Sequence, residues 1–146
     1  MAITGLANVQ KMLRDKVKTY RNGVRDVVRD TGRGVEFDAK MNAPPMIDGL
    51  INGEIVSDKN GYGYSVKVNA MPGSGMMRNM PVYLEFGTGL YAASYVPTLP
   101  KEWQDAARKY FINGKGTTKV HSFLNPAWVK NTSPFVYRVR EVLRKG

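Results

Sequence analysis

From Leu6 to Val35 the apolar side chains fall at Leu6, Val9, Leu13, Val17, Tyr20, Val24, Val27, Val28 and Val35, mostly three or four positions apart. That spacing marks one stripe of an α-helix and forces the rest of the chain to build against it. Thr4 is placed to cap the first turn with its hydroxyl. A helix from about 5 to 31 is roughly 40 Å long. Gly23 weakens it, Gly32 and Gly34 are expected to kink or end it, and it can resume towards Met41. The other side carries Lys11, Arg14, Lys18, Arg21, Arg25 and Arg29, with Asp15, Asp26 and Asp30 between them. Such a face is either solvated, with pairs along the helix worth a few tenths of a kcal/mol each, or a contact face for a partner.

Ala43-Pro44-Pro45 stops the helix, because proline lacks a donor and restricts the residue before it. Asp48-Gly49 signals a turn. Ile51, Ile55 and Val56 suggest a short strand, Asp58-Lys59-Asn60-Gly61 a hairpin turn, and Tyr62, Tyr64, Val66, Val68 and Ala70 a second strand with one apolar face. The loop 71–81 holds four methionines, which pack adaptably, so it orders against its own chain or against another.

Val82-Tyr83-Leu84-Glu85-Phe86-Gly87-Thr88-Gly89 alternates apolar and other residues, and this predicts a third, half-buried strand with a sharp exit. Glu85 stands out, since an unpaired buried carboxylate costs several kcal/mol. It faces water, as strand alternation suggests, or it has a partner at a subunit contact. Pro97-Thr98-Leu99-Pro100 breaks the chain. Trp103, Ala106, Ala107, Tyr110 and Phe111 predict a short helix near 100–112, ended by Asn113-Gly114-Lys115-Gly116. Ser133-Pro134 can open a terminal helix through Val136, Val139, Val142 and Leu143, with Arg144 and Lys145 well placed at its C-terminus. The order of long helix, two or three antiparallel strands, short helix and terminal helix is that of an α+β fold in one domain over 1–146.

The 146 residues are enough for a stable core. The absence of cysteine excludes disulfides, thiolate nucleophiles and cysteine zinc sites. The opening Met-Ala-Ile-Thr-Gly-Leu lacks a basic region followed by an apolar run, and no apolar run reaches 18 residues, so neither a standard secretory signal nor a membrane span is expected. Of the formal charge of +10, the ends carry most: residues 1–42 hold 9 Lys/Arg against 5 Asp/Glu, 43–100 hold 3 against 4, and 101–146 hold 10 against 3. Basic ends attract nucleic acid, anionic membrane or acidic protein alike.

Catalytic and cofactor signatures are missing from the sequence. The single histidine, His121, has no carboxylate near it in sequence to orient the ring. Gly114-Lys115-Gly116-Thr117 departs from a phosphate-binding loop at Lys109 and Gly116, where glycine and a hydroxyl residue are needed. Gly61-Tyr62-Gly63 and Gly87-Thr88-Gly89 lack a third glycine in register for a dinucleotide turn. The acidic residues form no metal-ligand cluster, so no catalytic, cofactor or metal site is expected.

Three motifs, Ala43-Pro44-Pro45-Met46-Ile47-Asp48-Gly49-Leu50 after the basic helix, Tyr83-Leu84-Glu85-Phe86-Gly87-Thr88, and Ser122-Phe123-Leu124-Asn125-Pro126-Ala127 before the final helix, together resemble the neck or tail-completion proteins of long-tailed bacteriophages, of the gene-product-10 type. The first motif departs from the family in having Asp48 before Gly49 and no basic residue after Leu50, and 90–120 is similar to an insertion. The resemblance implies a non-enzymatic virion protein, made in the host cytoplasm. Its copies form a ring in the neck, contacting head-closure or portal proteins and tail-terminator or tail-tube proteins, while DNA passes through the lumen without sequence-specific binding. A ring needs heterologous faces. The candidate contact residues are Glu85, Gly87 and Thr88, Met76 and Met77 of the loop, Phe123 and Leu124, and the cationic Arg21 and Arg25. The alternative is a basic nucleic-acid-binding protein, with Arg21, Arg25 and Arg29 on phosphates and Tyr62 or Tyr64 stacking on bases.

Overall fold

The computed structural model describes residues 6–59, 61–75, 77–108 and 116–145. The expected Thr4 cap, Asn60 of the hairpin turn, Met76, and the helix end and turn at 109–115 lie outside them.

The apolar stripe forms a helix longer than the spacing suggested. Helix α1 (Leu6–Asn42) runs unbroken for 37 residues, roughly 55 Å. Gly32 and Gly34 do not end it. They make room: a Cβ on Gly32 would enter the Tyr64 ring, and one on Gly34 would meet the Asn131 side chain. Gly23 likewise admits Val142. The glycines therefore mark where other elements press closest to α1, and the packing outweighs the loss of about 1 kcal/mol in helix propensity at each.

A short helix α2 (Pro45–Asp48) turns the chain, with Ile47 fully buried. Strands β1 (Ile51–Asp58) and β2 (Gly61–Val68) pair antiparallel from Ile51 opposite Val68 to Asp58 opposite Gly61, and the Gly61 N–H donates to Asp58 Oδ1 at 3.0 Å. The hairpin lies along α1. The Tyr64 hydroxyl donates to Glu36 Oε2 at 2.6 Å, and Lys40 Nζ donates to Glu36 Oε1 at 2.7 Å.

The third expected strand is a helix, α3 (Met80–Phe86). Over seven residues the alternation is ambiguous, because Val82 and Phe86 are also one helical turn apart, and Pro81 suits a first helical turn. Gly87 then takes φ +76°, the left-handed region, where a Cβ would sit 2.8 Å from Val120. Helix α4 (Gly89–Tyr95), which the sequence pattern did not reveal, is followed by a 3-10 turn over Val96–Thr98 and by α5 (Lys101–Arg108). After residue 116 an extended segment leads into α6 (Leu124–Thr132) and α7 (Phe135–Lys145). Ser133 does not open the last helix: its hydroxyl donates to the Val129 carbonyl of α6, while the Pro134 carbonyl accepts the Arg138 N–H.

The architecture is α+β. Hairpin and α6–α7 flank α1 on two sides, and the main core joins Val35 and Ala39 of α1, Ile47, Ile51, and Phe123 and Ala127. A smaller cluster of Ala92, Val96 and Ala107 packs under Phe86. Phe86 also meets Trp103 edge-on at 6.4 Å. No helix among the described residues is long and apolar enough to cross a membrane.

Candidate functional site

Among the described residues the most heavily bonded side chain is Glu85, only 4% exposed. Its Oε2 accepts the backbone N–H groups of Phe123 and Leu124, both at 2.9 Å, and its Oε1 accepts the Asn125 N–H at 2.9 Å and the Ser122 hydroxyl at 2.7 Å. A helix leaves its first four N–H groups without partners. In α6 three of those positions are satisfied by Glu85, and the fourth is Pro126, which has no N–H to satisfy. The negative charge also faces the positive end of the helix. Tyr95 extends the network by donating to Ser122 Oγ at 3.0 Å, and burial together with the nearby Glu85 charge holds its phenol above the usual pKa.

Thr88 completes the joint. Its N–H donates to the Thr118 carbonyl at 3.0 Å and its hydroxyl accepts the Thr118 N–H at 2.9 Å, while the His121 N–H reaches the Leu84 carbonyl at 2.7 Å. The segment 116–122 is thereby stitched beside α3.

The expected contact residues stand as follows. Glu85, Gly87, Thr88 and Phe123 are buried and bonded within their own chain. The Glu85 carboxylate has four partners inside its own chain. Leu124 is half-buried, and Met77, Arg21 and Arg25 are exposed. His121 sits at the surface with Nε2 3.1 Å from the Asn42 carbonyl, and no carboxylate is bonded to its ring.

The chain matches no protein-family model, curated protein or solved structure.

Three surface features among the described residues stand out. The first is the N-terminal part of α1, where every side chain from Ala7 to Thr19 is exposed, including Val9, Met12, Leu13 and Val17. The second is a cationic cleft of about 700 Å³ between α1 and the hairpin tip, with Arg21, Arg25, Lys59, Asp58 and Tyr62 on its walls. Arg25 lies over the Tyr62 ring at 5.3 Å, a cation–π contact. Arg29 is turned to Asp26 and Asp30, and Tyr64 is engaged by Glu36 and Gly32, so the expected set of three arginines and two tyrosines reduces to Arg21, Arg25 and Tyr62. The third is an apolar groove of about 540 Å³ floored by α1 and walled by β2 and α6–α7, with Trp103 and Trp128 on its lining. Among the described residues no group of three or more His, Asp or Glu is arranged to hold a metal.

Proposed function

We propose that the chain is a structural protein of a tailed-phage virion, forming a ring in the neck that joins the head-closure or portal complex to the tail and surrounds the DNA channel. One observation carries this reading. The three motifs that resemble the neck proteins lie as much as 80 positions apart, yet they meet at one joint: Ile47 from the first packs with Phe123 and Ala127 from the third, and Glu85 from the second caps the helix that the third begins. They form the structural centre of the domain, so the residues that carry the resemblance are ones that hold the domain together. Around that centre the chain presents apolar and basic surfaces suited to protein contacts.

Co-sedimentation of the purified protein with isolated phage heads and tails tests the reading. Saturable binding to one of the two is expected. Failure to bind either would overturn it.

A second reading, a basic nucleic-acid-binding protein, is favoured by the cationic cleft, where Arg21, Arg25 and Lys59 surround Tyr62. A titration with DNA at moderate salt separates the two, since tight binding with a steep salt slope belongs only to the second.

A further inference from the structure

We propose that the C-terminal helix α7 is a strap that opens from α1 as a unit, hinged at Ser133-Pro134, while α6 stays docked. Its release uncovers part of the apolar face of α1. The opening follows from how α6 and α7 are packed, whatever the chain assembles with.

α6 and α7 lie along one face of α1, and each is seated at a glycine: Asn131 of α6 at Gly34, and Val142 of α7 at Gly23, three helical turns away. Their anchorage differs. α6 buries Ala127 completely, Glu85 holds the N–H groups at its start, and Asn131 donates to Asp38 Oδ2 at 2.8 Å. α7 buries no residue. Phe135, Val139 and Val142 are half-buried against α1, while Val136, Tyr137 and Leu143 are at least half exposed. Among the described residues the polar ties from α7 to α1 come from Arg138, whose Nη1 is 3.4 Å from Thr31 Oγ1 and whose Nη2 is 3.9 Å from Asp30 Oδ2. Both are long, and a part-exposed ion pair of this kind is worth about 1 kcal/mol or less. Local opening is cheapest where few apolar contacts are buried and approaches the global cost in the core, which sets α7 apart from α6.

The junction between the two helices suits a hinge. Pro134 has no N–H, so the helical ladder is interrupted there. α6 closes itself off, with the Ser133 N–H and hydroxyl both donating to the Val129 carbonyl, at 3.2 and 2.7 Å, and α7 starts afresh with the Arg138 N–H on the Pro134 carbonyl at 2.9 Å. Once detached, the 11 residues of α7 fall short of the roughly 12–15 at which an isolated helix is even marginal in water, so release also unwinds it. Val27 lies one turn from Gly23 and one from Thr31, between the points where Val142 and Arg138 meet α1, and both Val27 and Thr31 are 7% exposed. Baring them extends the apolar row that Val9, Leu13 and Val17 already present on that face.

Amide hydrogen exchange on the full chain, read residue by residue by NMR, tests this. The hydrogen-bonded amides of α7, from Arg138 to Lys145, are expected to share one level of protection, at least about 10-fold below that of α6. A cross-link supplies the control. The chain has no cysteine, and a Cβ on Gly23 would stand 3.6 Å from the Val142 Cβ, within the roughly 3.5–4.5 Å that a disulfide spans, so Gly23→Cys with Val142→Cys places one disulfide across the seat. Oxidation of that pair is expected to raise the protection of α7 at least about 10-fold, and reduction to remove the gain. Equal protection of α6 and α7 in the wild type would overturn the proposal, because the two would then open as one unit. Protection that falls steadily towards Lys145 would overturn it too, as fraying of a chain end. So would an oxidised pair whose α7 exchanges as fast as in the reduced form. Should the paired variant fail to fold, the wild-type protection pattern alone decides.

Discussion

The Glu85 carboxylate lies 2.9 Å from the backbone nitrogen of Phe123, 38 positions further along the chain, and fixes where α6 begins. With its other three bonds it makes one side chain the cap of a helix from a different element.

Removing that cap is expected to destabilise the fold. Glu85→Ala leaves the first N–H groups of α6 buried without acceptors and should cost about 3 kcal/mol or more. Glu85→Gln keeps the shape but turns an NH₂ towards N–H donors, at about 2 kcal/mol. The midpoint of urea unfolding measures both. A loss below about 0.5 kcal/mol for Glu85→Ala would contradict the capping role.

Gly32 and Gly49 are expected to respond in opposite directions to alanine. A Cβ at Gly32 collides with the Tyr64 ring, so Gly32→Ala should destabilise by about 2 kcal/mol despite alanine's better helix propensity. Gly49 has φ −69° and open space where a Cβ would stand, so Gly49→Ala should be neutral or stabilise by about 0.5 kcal/mol. Thermal denaturation of the two variants checks the signs.

The same positions show what was legible in the sequence. The apolar stripe announced α1, and Asp58 with Gly61 announced the hairpin, because both signals are local. Gly32 and Gly34 were read as breaks because their purpose is the approach of Tyr64 and Asn131, side chains 32 and 97 positions away, which no local pattern carries. Glu85 was noticed as anomalous, but strand alternation favoured a side chain facing water and the alternative was a subunit contact, whereas it is buried with its partners in its own chain. The partner is the start of α6, and α6 itself was missed: nothing local to Ser122-Phe123-Leu124-Asn125 supplies the acceptor that the helix uses. The seven residues of α3 are too few to separate a period of two from one of 3.6.

Stability is expected to fall at both ends of the pH range through Glu36 and Tyr64. Lys40 and then the Tyr64 hydroxyl hold the Glu36 carboxyl below its ordinary 4.5, and the Glu36 charge raises the Tyr64 phenol above 10.0. A depressed carboxyl stabilises the fold above its unfolded value, and that contribution disappears as pH drops through the lower folded value. A raised phenol stabilises the fold below its unfolded value and loses that contribution as pH climbs through the higher folded value. Glu36→Gln should therefore flatten the acid limb below about pH 4.5 and part of the alkaline limb above about pH 10. Tyr95, also raised, contributes to the alkaline limb and is separated by Tyr95→Phe. Unfolding midpoints across the pH series measure this.

Affinity for duplex DNA is expected to be that of a basic surface without readout, with a Kd of about 10⁻⁵ M or weaker near 0.15 M salt. Arg21→Ala with Arg25→Ala should lower the salt slope by about two, one for each lost phosphate contact. Fluorescence anisotropy across a salt series measures it. A Kd below about 10⁻⁸ M with sequence preference would support the nucleic-acid-binding reading instead.

Electron cryomicroscopy of intact virions assembled with this chain tests the central claim most directly. The account predicts a ring of density at the head–tail junction into which α1, its hairpin and α6–α7 fit as a repeating unit around the DNA. A fully interpreted junction with no density for the chain would contradict it.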